Sequence, residues 1–487
     1  MLKEIHFYLR RKEKIMTNNN SMLINITNPY GYVRENEPIK VELNFENYDI
    51  HVKGLTLFDE DGNDVRTQLF DTVLESENIK STKIFFFTNF QQGEFTKRFK
   101  LKLDENAKMS TDEKFEGIKE IQTTEEDGFV RLDTGYYILE LCEGKADGTS
   151  GGKWGIRYFK NKKEDKNLII NNSNAIGGFY GPFFTPANGL INPPEHTKVK
   201  ITPEVVGDLY HRYIFEGTIP DGLDINLRNK NFKITWEFYY NSPLFDRKYE
   251  IDDFHTLVDG TPVDNLITVG DEFEGGKGEL IFDRFATYKS TNYRAGDPYA
   301  KVLYDNIYDI LENANHSDNE KLRRYRESIG DELNDVSWDY FWRLFSVKEG
   351  VLTDEDIKEH IESILPIAHK AVYSDERFRN VITSNDGINI DEIEEQTIFP
   401  IKANKTCEWN TKTGYSMVWY TSNVVDRYQI VQRSDSGWVN WGTNGENEYP
   451  ELKNGSEIRC SYGKFSNWEE IAEKMEYPVI GRQGSLL

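Results

Sequence analysis

Phe232-Lys-Ile-Thr-Trp-Glu-Phe-Tyr-Tyr240 is the stretch that decides the fold. Large apolar residues occupy every second position, which places Trp236 and its apolar neighbours on one face of an extended strand. Glu237 falls on the opposite face, together with Lys233 and Thr235. The pattern therefore predicts a β-strand with one buried face, and it makes Glu237 a polar residue on the other face.

Similar strand patterns dominate residues 128–296, with few helical patterns between them. Such strands pair antiparallel and pack as a large sandwich, for which a galactose-mutarotase-like supersandwich is one form. Residues 297–400 change to a helical period, and strand patterns return in 401–487. We interpret 297–400 as a helical insertion or lid on a β-sandwich whose two parts are 128–296 and 401–487. The predicted fold class is mainly β.

The N-terminal part of the chain forms a separate unit in this interpretation. Residues 23–104 alternate as short strands bounded by turn residues, which predicts a small β-sandwich module. Residues 105–127 are charged and poor in large apolar side chains, as in a linker. Residues 1–22 are expected to be a disordered leader, because their apolar run is too short for a signal peptide.

The module carries a recognisable set of motifs: Asn28-Pro with Arg34, Glu37-Pro-Ile, Leu57-Phe-Asp-Glu-Asp-Gly-Asn-Asp-Val-Arg-Thr-Gln68, and Ile84-Phe-Phe-Phe-Thr-Asn. With these motifs it resembles the accessory β-module attached to α-mannosidases and to exo-acting rhamnogalacturonan lyases. The resemblance is confined to residues 23–104 and includes no catalytic residue of either family. It implies a carbohydrate context.

Composition excludes several classes of protein. The 487 residues carry a net charge of −24, which argues against binding to nucleic acid or to anionic membranes. No apolar run is long enough for a transmembrane helix. The widely spaced Cys142, Cys407 and Cys460 indicate neither a disulfide framework nor a zinc site, and they suit the cytoplasm of a bacterium.

Residues 176–196 combine glycines, prolines and aromatic side chains. Glycine and proline predict an irregular loop, whereas the apolar residues argue that the loop is ordered. We expect this loop to lie over the mouth of the β-sandwich and to carry Tyr180 and His196 into a cleft.

The loop is followed by a strand pattern over 209–215. Alternation places His211 on one face of that strand, and Tyr210 and Arg212 on the other. A histidine beside aromatic residues is more often structural than catalytic, so both interpretations stay open for His211.

Three further groups could contribute to a site. Asp271, Glu272 and Glu274 could hold a cation such as calcium, supply an acid and a base, or form a polar hairpin. Arginine suits the carboxylate of a uronic acid, which makes Arg284 and Arg294 candidates along with the adjacent Tyr293. Sugar rings stack on flat side chains, and the candidates for that contact are Trp438 and Trp441.

These features together favour a carbohydrate-active enzyme, most simply a lyase that cleaves uronate-containing oligosaccharides by β-elimination without a required cofactor. In this hypothesis His211 or Tyr210 is the base, Arg212 or Arg294 binds the carboxylate, and Tyr180 or His196 is the acid. One alternative is a glycoside hydrolase with two carboxylates from Glu237 and the 271–274 cluster. Another is a non-catalytic carbohydrate-binding protein. The sequence does not indicate the oligomeric state.

Overall fold

A computed structural model of the chain describes residues 21–46, 52–104, 115–121, 129–164, 166–169, 176–179, 193–219, 225–258, 260–287, 388–393, 395–443 and 450–486. The predicted leader lies almost entirely outside these ranges, as does most of the predicted helical insertion. Tyr180, Tyr293 and Arg294 also lie outside the described residues, and the side chain of Trp441 is not described.

The N-terminal module contains seven strands with alternating burial. They are β1 Ser21–Thr27, β2 Arg34–Asn44, β3 Gly54–Phe58, β4 Asp64–Val65, β5 Gln68–Glu75, β6 Asn78–Phe90 and β7 Thr96–Asp104. The Asp59 carboxylate accepts bonds from the Asp61 and Asn63 amides, which closes the β3–β4 turn as a hairpin.

The rest of the described chain is also built mainly from strands, and in chain order they are β8 Lys119–Ile121, β9 Phe129–Asp133, β10 Tyr137–Cys142, β11 Gly155–Asn161, β12 Ile176–Phe179, β13 Lys200–Val205, β14 Tyr210–Thr218, β15 Asn231–Tyr239, β16 Leu244–Ile251, β17 His255–Val258, β18 Thr261–Asp264, β19 Leu266–Ile267, β20 Gly270–Glu274, β21 Arg284–Thr287, β22 Ile388–Asn389, β23 Gln396–Trp409, β24 Tyr415–Arg433, β25 Trp438–Gly442, β26 Leu452–Lys453, β27 Glu457–Lys464 and β28 Ile480–Leu486. The described helices are α1 Pro193–His196 and α2 Trp468–Glu476, and short 3-10 turns occupy Pro29–Gly31, Ser150–Gly152 and Ile390–Glu392.

Within the module, the strands form two facing sheets. Their orders are β28-β1-β7-β3-β4 and β2-β6-β5, so the last strand of the described chain completes the N-terminal module. The core between the sheets includes Ile24, Val41, Ile84 and Leu101, all nearly inaccessible to solvent. Period-two alternation in the sequence accounts for this core directly.

The large sheet has the order β13-β14-β15-β16-β27-β24-β25-β20-β12-β11-β10-β9-β8, with β21, β22 and β23 attached beside β24. Its two halves face each other, because Phe159 on β11 packs against Phe245 on β16 with ring centroids 5.5 Å apart. We refer to β13–β16, β27 and the first part of β24 as the first layer, and to β25, β20 and β12–β8 as the second layer. The predicted mainly β fold with a large antiparallel sandwich is confirmed.

The loop predicted over 176–196 is regular at both of its described ends, which corrects the expectation of an irregular loop. Ile176–Phe179 forms β12, and Pro193–His196 forms one helical turn. Gly177 adopts φ +74°, which glycine tolerates, and proline is acceptable at the start of a helix.

The second described helix, α2, begins at Trp468. It is capped by the Asn467 side chain, which accepts hydrogen bonds from two backbone amides. Among the described helices, none has the length and apolar character needed to cross a bilayer.

The N-terminal module docks against the first layer through its own small apolar cluster. Phe85 on β6 lies against Tyr210 and Tyr239, with ring centroids 5.2 and 5.6 Å away. Gln68 adds polar contacts by accepting from the Leu209 and Tyr210 amides and donating to the Tyr210 carbonyl. This joint is therefore a packed interface.

Candidate functional site

A cluster of charged side chains lies on the outer face of the second layer. Asp271 points into the core of the sandwich, so Glu272, the next residue on β20, points to the outer side. Four further charged side chains of this face interact with Glu272 or with one another. We call the following set the outer-face cluster: Glu140, Lys153, Arg157, Glu195 and Glu272.

Lys153 is the centre of the cluster. Its ammonium donates to both carboxylate oxygens of Glu272, at 3.1 and 3.0 Å, and lies 3.9 Å from the Glu195 carboxylate. The side chains of Lys153 and Glu272 are each 6% exposed. Removing both charges from water is costly, and the two hydrogen bonds between them offset that cost. Two carboxylates are therefore held around one ammonium.

Two hydrogen bonds next to Lys153 hold Glu195 near its ammonium. Trp154 is fully buried, and its indole Nε1 donates to Thr197 Oγ1 at 2.7 Å. The Gly148 amide donates to the Glu195 carbonyl at 2.9 Å. These two bonds hold the turn that carries Glu195 and His196 against the loop that precedes β11.

Arg157 reaches the cluster because of a β-bulge. The β10–β11 register shifts between Glu140 and Leu141, which leaves Arg157 as the extra residue on β11. A bulge redirects a side chain relative to the regular alternation. Burial lowers the pKa of Arg157, while Cys142, Glu272 and Glu140 act in the opposite direction.

The Arg157 guanidinium is only partly satisfied. Its Nη1 donates to the Gly151 carbonyl at 2.6 Å and weakly to the Lys153 carbonyl at 3.5 Å. Nε and Nη2 are buried and have no hydrogen-bond acceptor among the described residues, although Arg157 is 8% exposed. Unsatisfied charged donors in a buried position are costly, and an anionic group would satisfy them.

Several residues proposed from the sequence come to this same outer face. Glu274 and Trp438 are directly opposite each other on β20 and β25, on the side of the sheet that carries Glu272. The Arg433 guanidinium lies 5.1 Å from the Trp438 ring centre. His196 follows Glu195 and is exposed.

Tyr210, Arg212 and Glu237 lie elsewhere, at the joint with the N-terminal module. Tyr210 donates to Glu237, and Lys40 of the module lies 2.5 Å from the same carboxylate. Burial raises the pKa of Glu237, but Lys40 and the tyrosine hydroxyls outweigh burial and leave it below the usual range. The Arg212 guanidinium already pairs with Asp71 at 2.6 Å and with Glu204 at 2.5 Å.

His211 points to the other side of β14, into the sandwich. Its Nδ1 lies 3.0 Å from the Tyr213 hydroxyl, which donates to Glu120 at 2.7 Å. Burial lowers the pKa of His211, which is 1% exposed. Alternation along β14 therefore separates His211 from Arg212.

Asp271 occupies the core of the sandwich. Arg247 on β16 makes two bonds to its carboxylate, at 2.6 and 2.7 Å, and the Gly177 amide donates a third at 2.8 Å. This bridge joins the two layers. Arg284 is half-buried at the start of β21, apart from the outer-face cluster in the sheet order. Among the described residues, no group of three or more His, Cys, Asp or Glu side chains is arranged to hold a metal ion.

The sequence prediction missed Glu140, Lys153, Arg157 and Glu195. The strand pattern around Trp154 was visible, but regular alternation does not reveal a bulge at Arg157. A lysine that follows two glycines gives no signal of burial. The sheet order β20-β12-β11-β10 brings Glu272, Arg157 and Glu140 to one region of the sheet.

Comparisons with known proteins find similar solved structures but no family for this chain. No protein-family model and no curated protein matches the chain. An alpha-mannosidase from Enterococcus faecalis V583 matches with a TM-score of 0.46 and 10% identity, over 96% of this chain and 46% of the mannosidase. A second Enterococcus faecalis protein, of glycosyl hydrolase family 38, matches with a TM-score of 0.45 and 7% identity, over 96% of this chain and 48% of its own.

A galactose mutarotase-like protein from Clostridium acetobutylicum matches with a TM-score of 0.34 and 11% identity, over 71% of this chain and 97% of its own. The chain thus spans about half the length of the two Enterococcus faecalis structures. An α-mannosidase is among the structures that this chain resembles, as the motifs of the N-terminal module predicted.

Proposed function

We propose that this chain is a carbohydrate-active enzyme that binds a uronate-containing oligosaccharide at the outer-face cluster and cleaves it by β-elimination. The observation that carries the proposal is Arg157, a buried guanidinium with two nitrogens that lack acceptors among the described residues. A planar carboxylate matches a guanidinium fork in shape and charge. A uronic acid supplies such a carboxylate.

The chemistry of elimination then follows from the groups around Arg157. Neutralising the substrate carboxylate makes the neighbouring carbon-bound proton easier to remove and stabilises the enolate that forms. His196, at the exposed edge of the cluster, is the proposed acid and base. One imidazole can take the proton from carbon and return it to the departing glycosidic oxygen. The carbon–oxygen bond breaks, a carbon–carbon double bond forms, and no water is consumed.

These assignments change some of the residue roles that the sequence predicted. Arg157 takes the role first proposed for Arg212 or Arg294, because Arg212 is already paired with two carboxylates. Tyr180 stays a proposed proton donor. The proposed reaction requires no cofactor. We also propose a cytoplasmic location, which the buried thiols of Cys407 and Cys460 suit.

Hydrolysis is the second candidate, and one observation favours it. Glu195 and Glu272 lie 3.9 and 3.0 Å from the same ammonium, so these two carboxylate oxygens are within about 7 Å of each other. Carboxyl pairs in glycoside hydrolases are about 5 to 9.5 Å apart. A hydrolase would release new reducing ends without an unsaturated product.

The test is turnover of a panel of uronate oligosaccharides, with and without a chelator, followed by ultraviolet absorbance of the unsaturated product and by a reducing-end assay. Elimination predicts a rise in absorbance that Arg157→Gln removes and Arg98→Gln, on the N-terminal module, retains. Reducing ends without absorbance would replace elimination by hydrolysis. Binding without either product would replace both by a carbohydrate-binding protein.

A further inference from the structure

A concave site lies at the joint between the N-terminal module, the first layer and α2. It is a cleft of about 780 Å³, within the range of about 300–1,000 Å³ that is usual for small-molecule sites. Its walls come from β2, from the β15–β16 turn, from β27 and from α2. Ligand sites occur preferentially at such interfaces between folding units.

The charges around this cleft are balanced. Four of the five cations at its wall each have a carboxylate partner, and the N–O distances range from 2.5 to 3.8 Å in the pairs Arg34–Glu37, Lys40–Glu237, Arg459–Asp246 and Lys474–Glu470. The fifth cation, Lys163, lies 5.6 Å from the Tyr136 ring centre, and Glu35 adds a fifth carboxylate to the wall. Paired charges offer no excess attraction for an ionic ligand. They still provide strong donors and acceptors for hydroxyl groups.

Asp246 is the group in this wall that is best placed to recognise a hydroxyl. Its Oδ2 accepts a bond from the Tyr239 hydroxyl at 2.7 Å. Its Oδ1 has no hydrogen bond among the described residues, and Arg459 Nε lies 3.8 Å away. Tyr136 adds aromatic surface to the lining. Aromatic surface beside charged acceptors suits a neutral sugar.

We propose that this cleft, named here the joint cleft, binds a neutral oligosaccharide. The ligand contacts the N-terminal module and the sandwich at once, so its binding holds the two units together. The inference does not rest on the proposed cleavage reaction, because the joint cleft shares no residue with the outer-face cluster.

The experiment is calorimetric titration of the full chain with maltotriose, cellotriose and mannotriose. At least one sugar is expected to bind with saturation. Asp246→Asn keeps the size of the side chain but removes its charge, and it weakens this binding about tenfold or more. Asp61→Asn makes the same change on an exposed turn of the module and leaves binding unchanged, as does Arg157→Gln. Absence of saturable binding of all three sugars would overturn the inference.

Hydrogen exchange of the wild-type protein locates the sugar without any substitution. Slower exchange on sugar binding is expected within residues 239–246 and 470–475, which include several residues of the cleft wall. Protection confined to β10, β11 and β20 would overturn the inference, and so would loss of neutral-sugar binding in Arg157→Gln, because either would put the sugar at the outer-face cluster.

Discussion

Replacing Arg247 by methionine is expected to destabilise the sandwich strongly. The side chains of Arg247 and Asp271 are 0% and 1% exposed, and two bonds join them. Methionine leaves the Asp271 carboxylate buried with the Gly177 amide as its remaining donor among the described contacts. Removing one partner of a buried ion pair typically costs about 3–5 kcal/mol in the free energy of unfolding.

Urea denaturation followed by tryptophan fluorescence measures this effect. Trp236 and Trp419 report on the relevant core, because the Arg247 guanidinium carbon lies 5.5 and 5.0 Å from their ring centres. The double variant Arg247→Met/Asp271→Leu is expected to recover most of the loss, since no unpaired charge remains.

Lys53→Met breaks the exposed pair with Glu77 and is the control, with an expected change below about 1 kcal/mol. A loss below about 1 kcal/mol for Arg247→Met would refute a structural role for the bridge. A double variant as unstable as the single one would refute the unpaired charge as the cause.

Three further predictions concern the joint between the N-terminal module and the first layer, the close contact of Gly177 with Trp236, and the effect of pH on stability. Phe85→Ala is expected to lower the free energy of unfolding by about 3–5 kcal/mol, because it removes the ring that packs between the N-terminal module and the first layer. It should also split one unfolding transition into two, and an unchanged single transition would contradict this prediction. Gly177→Ala places a methyl carbon 2.4 Å from the Trp236 ring, and urea denaturation should show a loss of about 1–3 kcal/mol in the free energy of unfolding beyond that of Gly260→Ala. Gly260 also has a positive φ, but no atom lies near its added methyl group, so equal losses in the two variants would contradict the steric cause. Burial holds the pKa of His211 below its ordinary 6.5, so as the pH falls the unfolded chain binds the proton before the folded chain does. The free energy of unfolding therefore decreases as the pH drops below 6.5. His211→Gln should flatten this decrease between about pH 7.5 and 5.5, and a pH profile identical to that of the wild type would contradict the prediction.

The sequence predicted the parts of the fold that local periodicity controls. Alternation from Phe232 onward gave β15 and its buried face, and the strand pattern over 209–215 gave β14. In each of these elements, burial follows the residue pattern without help from distant contacts.

The candidate site could not be predicted in the same way, because it depends on pairings between distant strands. Alternation on β14 does place Tyr210 and Arg212 on the face opposite His211, but it does not reveal that the N-terminal module covers that face. Arg157 enters the outer-face cluster through a bulge, and Glu272 meets Lys153 across 119 positions of sequence. Neither contact has a local signal.

The most direct measurement is a calorimetric titration of trigalacturonate into the wild-type chain, Arg157→Gln and Arg157→Lys. The account predicts saturable binding to the wild type and a loss of about tenfold or more in both variants, because lysine lacks the guanidinium fork. Binding to Arg157→Gln as strong as to the wild type, or no binding to the wild type, would contradict the assignment of the outer-face cluster as the sugar-binding site.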